Sequence, residues 1–252
     1  MTNYDAKFYK SFRDLTYQSA REVIPLILRL MPVGSVCDLG CGDGTWLRAF
    51  REAGVTDVLG IDGEYVTKDL LQIPAANFRA MDLRTRISLQ RSFDLAISLE
   101  VAEHLPESRA ARFVEDLTRL APVILFSAAI PGQGGRDHVN EQWQTYWTAM
   151  FAQWRYIVCD FLRPKIWRNR RIAYWYRQNA LLFCRESSLE TIPELALSPH
   201  SLRVSLVHPE QMDFPDALRA TVIAAPKYAK YCLRRIPKMV PAVHALKRVL
   251  NR

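Results

Sequence analysis

Five cysteines in 252 residues, at positions 37, 41, 159, 184 and 232, are too few and too scattered for a disulfide framework. Three of them fall in apolar strand-like runs or in a glycine turn, which predicts reduced thiols and a cytoplasmic protein. Cys37 and Cys41 lack the second pair that a structural zinc site needs, so they read as small residues in a tight turn. Long apolar runs are also missing: the best, at 24–30 and 123–130, fall short of the ~20 residues that span a bilayer. The opening Tyr4-Asp5-Ala6-Lys7-Phe8-Tyr9-Lys10 lacks the basic-then-apolar order of a secretion signal. Internal repeats and low-complexity segments are absent. So are acidic residues in 227–252.

That last absence locates the charge. The net charge of +8 would suggest nucleic acid if it were spread over a face. Instead Lys227, Lys230, Arg234, Arg235, Lys238, Lys247, Arg248 and Arg252 carry all of it, and residues 1–226 balance at 26 basic against 26 acidic. A second local cluster comprises Arg163, Lys165, Arg168, Arg170, Arg171 and Arg177. The 49% apolar content suits one large globular domain with its own core.

Short strand-like runs at 35–39, 57–61, 77–81, 93–99 and 123–128 alternate with helical stretches at 45–53 and 109–119. Such alternation predicts a parallel sheet covered on both faces. Two further runs, 156–162 and 179–184, are too close together for another full crossover and read as an antiparallel pair. Residues 4–31 look helical, with Tyr4, Phe8, Phe12 and Tyr17 as an aromatic stripe, either a packing helix or a lid. We therefore divide the chain into an N-terminal helical segment (1–32), a catalytic domain (33–186) and an extension ending in the basic tail (187–252).

The run Val36-Cys37-Asp38-Leu39-Gly40-Cys41-Gly42-Asp43-Gly44 reads as a strand, a glycine turn and a helix start. Glycines at 40, 42 and 44 let backbone approach a ligand at the carboxyl end of a strand, where α/β sheets bind cofactors. The G-x-G-x-G spacing differs from the G-x-G-x-x-G of pyrophosphate sites. Asp38 and Asp43 would repel a pyrophosphate but suit an ammonium and a sulfonium. Asp62 ends the second strand, where a carboxylate can accept both ribose hydroxyls, and Asp82 ends the third, within reach of an adenine amino group.

On these residues the chain resembles the class I S-adenosylmethionine-dependent methyltransferases. The matching elements are Asp38 to Gly44, Gly60-Ile61-Asp62-Gly63, Met81-Asp82-Leu83 and Phe93-Asp94-Leu95-Ala96-Ile97-Ser98-Leu99-Glu100, over about residues 33–185. The resemblance implies an α/β, Rossmann-like, seven-stranded sheet with helices on both faces and an antiparallel last strand. It also implies that Asp38, Gly40, Gly42, Asp43, Gly44, Asp62, Gly63, Asp82, Leu83 and Glu100 surround S-adenosyl-L-methionine.

Glu100, Glu103 and His104 follow the fourth strand at i, i+3 and i+4, which predicts one face of a helical turn. A glycine loop at 132–135 can carry His138 back over the same strand edge. Two carboxylates and two imidazoles make a mixed oxygen and nitrogen site for a divalent cation, magnesium or manganese, with positions open to substrate oxygen. The alternative is a solvated turn with His104 filling a polar gap. The pattern is similar to that of small-RNA 2′-O-methyltransferases, which pair E-x-x-E-H with a later His, and of ubiquinone-pathway O-methyltransferases. The layout with segment 126–147 most resembles bacterial methyltransferases of polysaccharide and glycoconjugate synthesis. These resemblances imply a metal set of Glu100, Glu103, His104 and His138. Catalysis falls to Glu100, His104 and His138, the last as either ligand or general base.

Aromatics crowd the segments beside this loop. Trp143, Trp147 and Trp175 are read as a wall for a sugar ring, with Arg177 holding an anionic group. The expected substrate is a saccharide hydroxyl, free, nucleotide-linked or lipid-linked. The rivals are RNA 2′-O-methylation, methylation of a small aromatic natural product, and a non-enzymatic scaffold. In 227–252, Tyr228, Tyr231, Leu233, Ile236 and Met239 interleave with the cations. That suits either a helix lying on an anionic membrane, peripheral to its inner face, or a helix pair packed on the body.

Overall fold

Strands and helices alternate through the first two thirds of the chain in the computed structural model, which describes residues 6–198 and 205–212, with side chains from residue 12. In chain order they are α1 (Ala6–Leu30), β1 (Ser35–Leu39), α2 (Thr45–Glu52), β2 (Asp57–Asp62), β3 (Phe78–Ala80), β4 (Leu95–Leu99), α3 (Glu107–Leu120) and β5 (Val123–Ser127). There follow α4 (Gln144–Ala152), β6 (Tyr156–Cys159), α5 (Arg163–Ile166), α6 (Tyr174–Asn179), β7 (Leu181–Arg185) and α7 (Pro193–Ala196). One seven-stranded sheet results, in the order β3-β2-β1-β4-β5-β7-β6. All its pairings are parallel except those of β7, which runs antiparallel to both β5 and β6. This is the expected sheet.

Side chains alternate across a strand, so each strand feeds two cores. Val36, Leu95, Ile97, Val123 and Leu125 pack with Ile24 and Ile27 of α1 and Leu47 and Phe50 of α2. Cys37, Leu39, Ala96, Ile124 and Phe126 face the other way, with Phe113 and Leu117 of α3 and Trp147 and Phe151 of α4. The four described cysteines are buried and in no disulfide.

Two strand ends depart from expectation for local reasons. Residue 94 precedes β4 rather than joining it, because Asp94 Oδ2 accepts bonds from Gly34 N (2.8 Å) and Ser35 N (2.9 Å) at the start of β1. Strand β6 stops at Cys159 because Asp160 turns to pair with the buried Arg163 at 2.6 Å. A second buried pair, Arg109 with Asp116, steadies the segment after β3. Arg109 donates to Leu83 O (2.9 Å) and Thr85 O (2.7 Å), and Asp116 accepts from Ile87 N (2.9 Å).

The described residues up to His208 belong to one compact unit, and those from Pro209 on belong to a second. Of the second, the described part is α8 (Pro209–Met212), and the basic tail at 227–252 lies outside the described residues. Among the described residues no helix is long and apolar enough to cross a membrane.

Candidate active site

A cavity of about 340 Å³ opens at the carboxyl ends of β1 and β4, where strand order reverses in the sheet and α/β folds bind ligands. Its floor is Asp38 and Gly40 to Asp43, and one side is Leu99, Glu100, Glu103 and His104. Gly134, Gly135 and His138 form a second side. Phe12, Arg13 and Thr16 of α1 and Tyr174 to Tyr176 of α6 complete the wall. Helix α1 is therefore both packing helix and wall: Ala20, Val23, Ile24 and Ile27 are buried in the core, while its earlier turns line the cavity.

The glycine turn is built by backbone. Gly40, Gly42 and Gly44 have φ of 87°, 54° and 80°, the left-handed region open to glycine. A Cβ on Gly40 would stand 2.3 Å from Val101 Cγ2. Gly40 N donates to Ile61 O (2.8 Å) and Gly42 N to Asp62 Oδ2 (2.6 Å), which locks the turn onto β2. Asp62 also accepts from Gly63 N (2.7 Å) and from the hydroxyl of Tyr65. Asp43 is committed elsewhere: Oδ1 accepts from Thr45 N (3.1 Å) at the start of α2, and Oδ2 pairs with Arg13 at 2.7 Å.

Buried acids dominate the electrostatics. Burial and the neighbouring Asp62 push the Asp38 carboxyl well above the carboxylate range. Burial also raises Asp62, against the bonds it accepts. Burial raises Glu100 as well, while burial and then Glu100 push Glu103 far up. Ionised acids held out of water favour a cationic ligand. A sulfonium with an ammonium, and a divalent cation, fit that field.

The Glu100-to-His104 segment is not one helical turn. Glu100 sits at the end of β4 with φ of 56°, and only Ala102–His104 forms a 3-10 turn. That break separates the side chains. Glu103, His104 and His138 offer ligand atoms within 4.8 Å of one another. Glu100, expected among the ligands, stands outside that group: its oxygens accept from Gln133 Nε2 (2.8 Å) and Asn179 Nδ2 (3.3 Å). Glu103 is 0% exposed; its Oε1 accepts from Ala129 N (3.1 Å) and its Oε2 has no hydrogen-bond partner. The His104 and His138 rings meet edge to face, 4.8 Å between centroids. Burial and then His138 lower His104 to about 4, which keeps it neutral, as a ligand imidazole must be.

The loop expected to be flexible is pinned instead. Glu141 accepts from Gly132 N and Gly134 N, each at 2.8 Å, and lies 2.9 Å from His138 Nδ1. Gln133 reaches inward, where its Oε1 accepts from Gln178 (3.1 Å) and Asn179 (2.9 Å). Glu141, Gln133, Asn179, Arg13 and Tyr65 were not singled out from sequence. Only Glu141, three residues beyond His138, carried a usable signal.

Asp62, Gly63, Asp82 and Leu83 lie off the cavity wall. Asp82 is exposed and held by Arg84 at 2.8 Å. Of the four residues expected against substrate, only Trp175 lines the cavity. Trp147 is corrected to a core residue: with Phe151, one turn on, it packs α4 against Phe126 of β5. Arg177 is corrected likewise, buried and bonded to Trp167 O (3.2 Å) and His208 Nε2 (3.2 Å). Trp143 is exposed at the start of α4.

A family model described as a methyltransferase domain matches residues 9–179. The chain belongs to that family. Its fold is the class I S-adenosylmethionine-dependent methyltransferase fold. Human N-acetylserotonin methyltransferase in complex with S-adenosylmethionine is similar at 14% identity and a TM-score of 0.51, over 71% of this chain and 55% of that one. Magnesium protoporphyrin IX methyltransferase of Synechocystis PCC 6803 gives 18% and 0.50, over 73% and 85%. Streptomyces venezuelae DesVI gives 22% and 0.41, over 51% and 58%. The chain thus spans less than three fifths of DesVI and of the human enzyme. No curated protein sequence matches it.

Proposed function

We propose that the protein transfers a methyl group from S-adenosyl-L-methionine to a hydroxyl of a saccharide or glycoconjugate, assisted by a divalent cation, magnesium or manganese. The observation that carries this reading is the trio Glu103, His104 and His138, with a fully buried carboxylate oxygen lacking a partner, on the wall of the glycine-turn cavity. When bound, the cofactor supplies an electrophilic methyl on a sulfonium, and the cation supplies a Lewis acid that lowers the pKa of a hydroxyl.

The chain's own residues divide the remaining work. Asp38 accepts the cofactor's ammonium at the foot of the cavity. Asp62 accepts the ribose hydroxyls once the Tyr65 hydroxyl gives way. Gly40 to Gly44 leave backbone room for the cofactor. Glu103 Oε2 and the two imidazoles would hold the cation. Glu100, buried and oriented by Gln133 and Asn179, is the carboxylate left over; its raised pKa suits it to take the hydroxyl proton. Phe12, Tyr174 and Trp175 give the mouth an aromatic rim on which a sugar ring can stack.

A specific observation favours a second reading, RNA 2′-O-methylation: exposed Lys165, Arg168, Arg170 and Arg171 run into the cavity-lining Tyr174 to Tyr176. Mass spectrometry after incubation with labelled cofactor separates the two. Label on a saccharide, lost in chelator and restored by manganese, is expected. Label confined to RNA supports the second reading, and full turnover in chelator removes the cation from both. The basic tail suits a peripheral membrane contact near a lipid-linked acceptor. Deleting 227–252 should abolish sedimentation with anionic vesicles, and equal sedimentation of both forms contradicts it.

A further inference from the structure

We infer that Glu141 is the positioning residue of this site: it holds His138 as the tautomer protonated on Nδ1 and so turns the Nε2 lone pair toward Glu103 and His104. The inference rests on the cation reading above for its purpose, but not for its geometry. Three bonds converge on this one carboxylate, from Gly132 N (2.8 Å), Gly134 N (2.8 Å) and His138 Nδ1 (2.9 Å). A neutral imidazole that donates from Nδ1 has its only lone pair on Nε2.

A second observation shows how closely the ring position is set. A Cβ on Gly135 would stand 2.2 Å from His138 Nε2 and 2.4 Å from Cε1, so only glycine there lets the imidazole take this place beside Glu141. The ring is also turned edge to face with His104, at 83°. Carboxylates that fix the far nitrogen of a ligating imidazole commonly set both its tautomer and its aim.

The backbone at this point does not depend on Glu141. Val139 N (2.9 Å) and Asn140 N (3.0 Å) both donate to Glu103 O, which ties the His138 segment to the 3-10 turn. Removing the Glu141 carboxylate should therefore free the ring and the glycine turn without detaching the segment. That separates orientation from folding.

The test uses the full chain labelled with 15N-histidine, with the His138 signals assigned by their loss in H138A. The expected parent spectrum at neutral pH, without added metal, shows a protonated Nδ1 and an unprotonated Nε2. In Glu141→Ala the signature should shift toward the Nε2-protonated or averaged form. Manganese binding by calorimetry should weaken about 10- to 100-fold. Glu141→Gln, whose amide oxygen can still accept from Nδ1, should restore the tautomer. S-adenosylmethionine affinity should stay within about twofold of the parent in both variants, as their folding control. A parent His138 protonated on Nε2, or a Glu141→Ala spectrum identical to the parent's, overturns the inference. If the tautomer shifts as expected but parent and variant both fail to bind manganese, the positioning role stands and the cation reading falls.

Discussion

Two loops leave neighbouring parts of the same sheet edge and build their sites by opposite means. The turn after β1 uses backbone: three left-handed glycines, amides bonded into β2, and a Cβ-sized space that Val101 closes. The segments after β4 and β5 use side chains: Glu103 and His104 from one turn meet His138 from another, Glu141 holds His138, and Gln133 and Asn179 hold Glu100. A site made of backbone is written in a few contiguous residues. A site made of side chains depends on where separate segments come to rest, and short spacing alone misplaces its members.

The comparison breaks first at Glu103. Glu103→Gln keeps the shape but removes the charge that would hold the cation, so manganese affinity should fall by at least ~100-fold. The same change should stabilise the ligand-free fold. Burial raises the Glu103 pKa far above its ordinary 4.5, so the carboxyl is protonated in both states below about that pH and no penalty exists there. As pH rises from there through the folded-state value, the unfolded chain releases the proton first and the penalty on the fold grows. The advantage of Glu103→Gln in denaturant melts should therefore be absent near pH 4 and largest at high pH. An advantage that shrinks with rising pH would contradict the burial argument.

Behind the glycine turn, Asp62→Ala should cost cofactor binding about 1.5–3 kcal/mol, or ~10- to 150-fold, by loss of charge-assisted bonds. Manganese affinity should not move. Unchanged binding of S-adenosylmethionine would show that the ribose lies elsewhere. The two loops should also differ in tolerance to a methyl group. Gly40→Ala meets Val101 at a left-handed φ and should cost about 3 kcal/mol in a urea melt. Gly132→Ala has an equally left-handed φ of 85° but open space, and should cost only about 1 kcal/mol. Equal costs would remove the distinction between the loops. The smallest effect is at Tyr65, whose hydroxyl occupies Asp62. Tyr65→Phe should tighten cofactor binding by up to ~1 kcal/mol, about fivefold; weaker binding would make Tyr65 a contact rather than a competitor.

The alternation of strands and helices made the sheet legible, because short apolar runs fed both cores and glycine marked the turn. His138 was legible as a partner of Glu103 and His104 because few residue types serve that chemistry. Glu100 was not, because its left-handed φ breaks the helical face that the spacing implied. Asp43 read as a cofactor acid and lines the cavity, but its carboxylate also accepts from Thr45 N and pairs with Arg13, a partner thirty residues away that no local pattern announces. Trp147 and Arg177 were chosen by composition, which says what a residue can bind but not which way it faces.

Crystals grown with S-adenosylhomocysteine and manganese, measured at the manganese absorption edge, test the adjacent-site arrangement most directly. One anomalous peak bounded by Glu103 Oε2, His104 and His138 Nε2, beside cofactor density over Gly40 to Gly44, is the expected result. Cofactor density in that turn with no peak among the three side chains would contradict it.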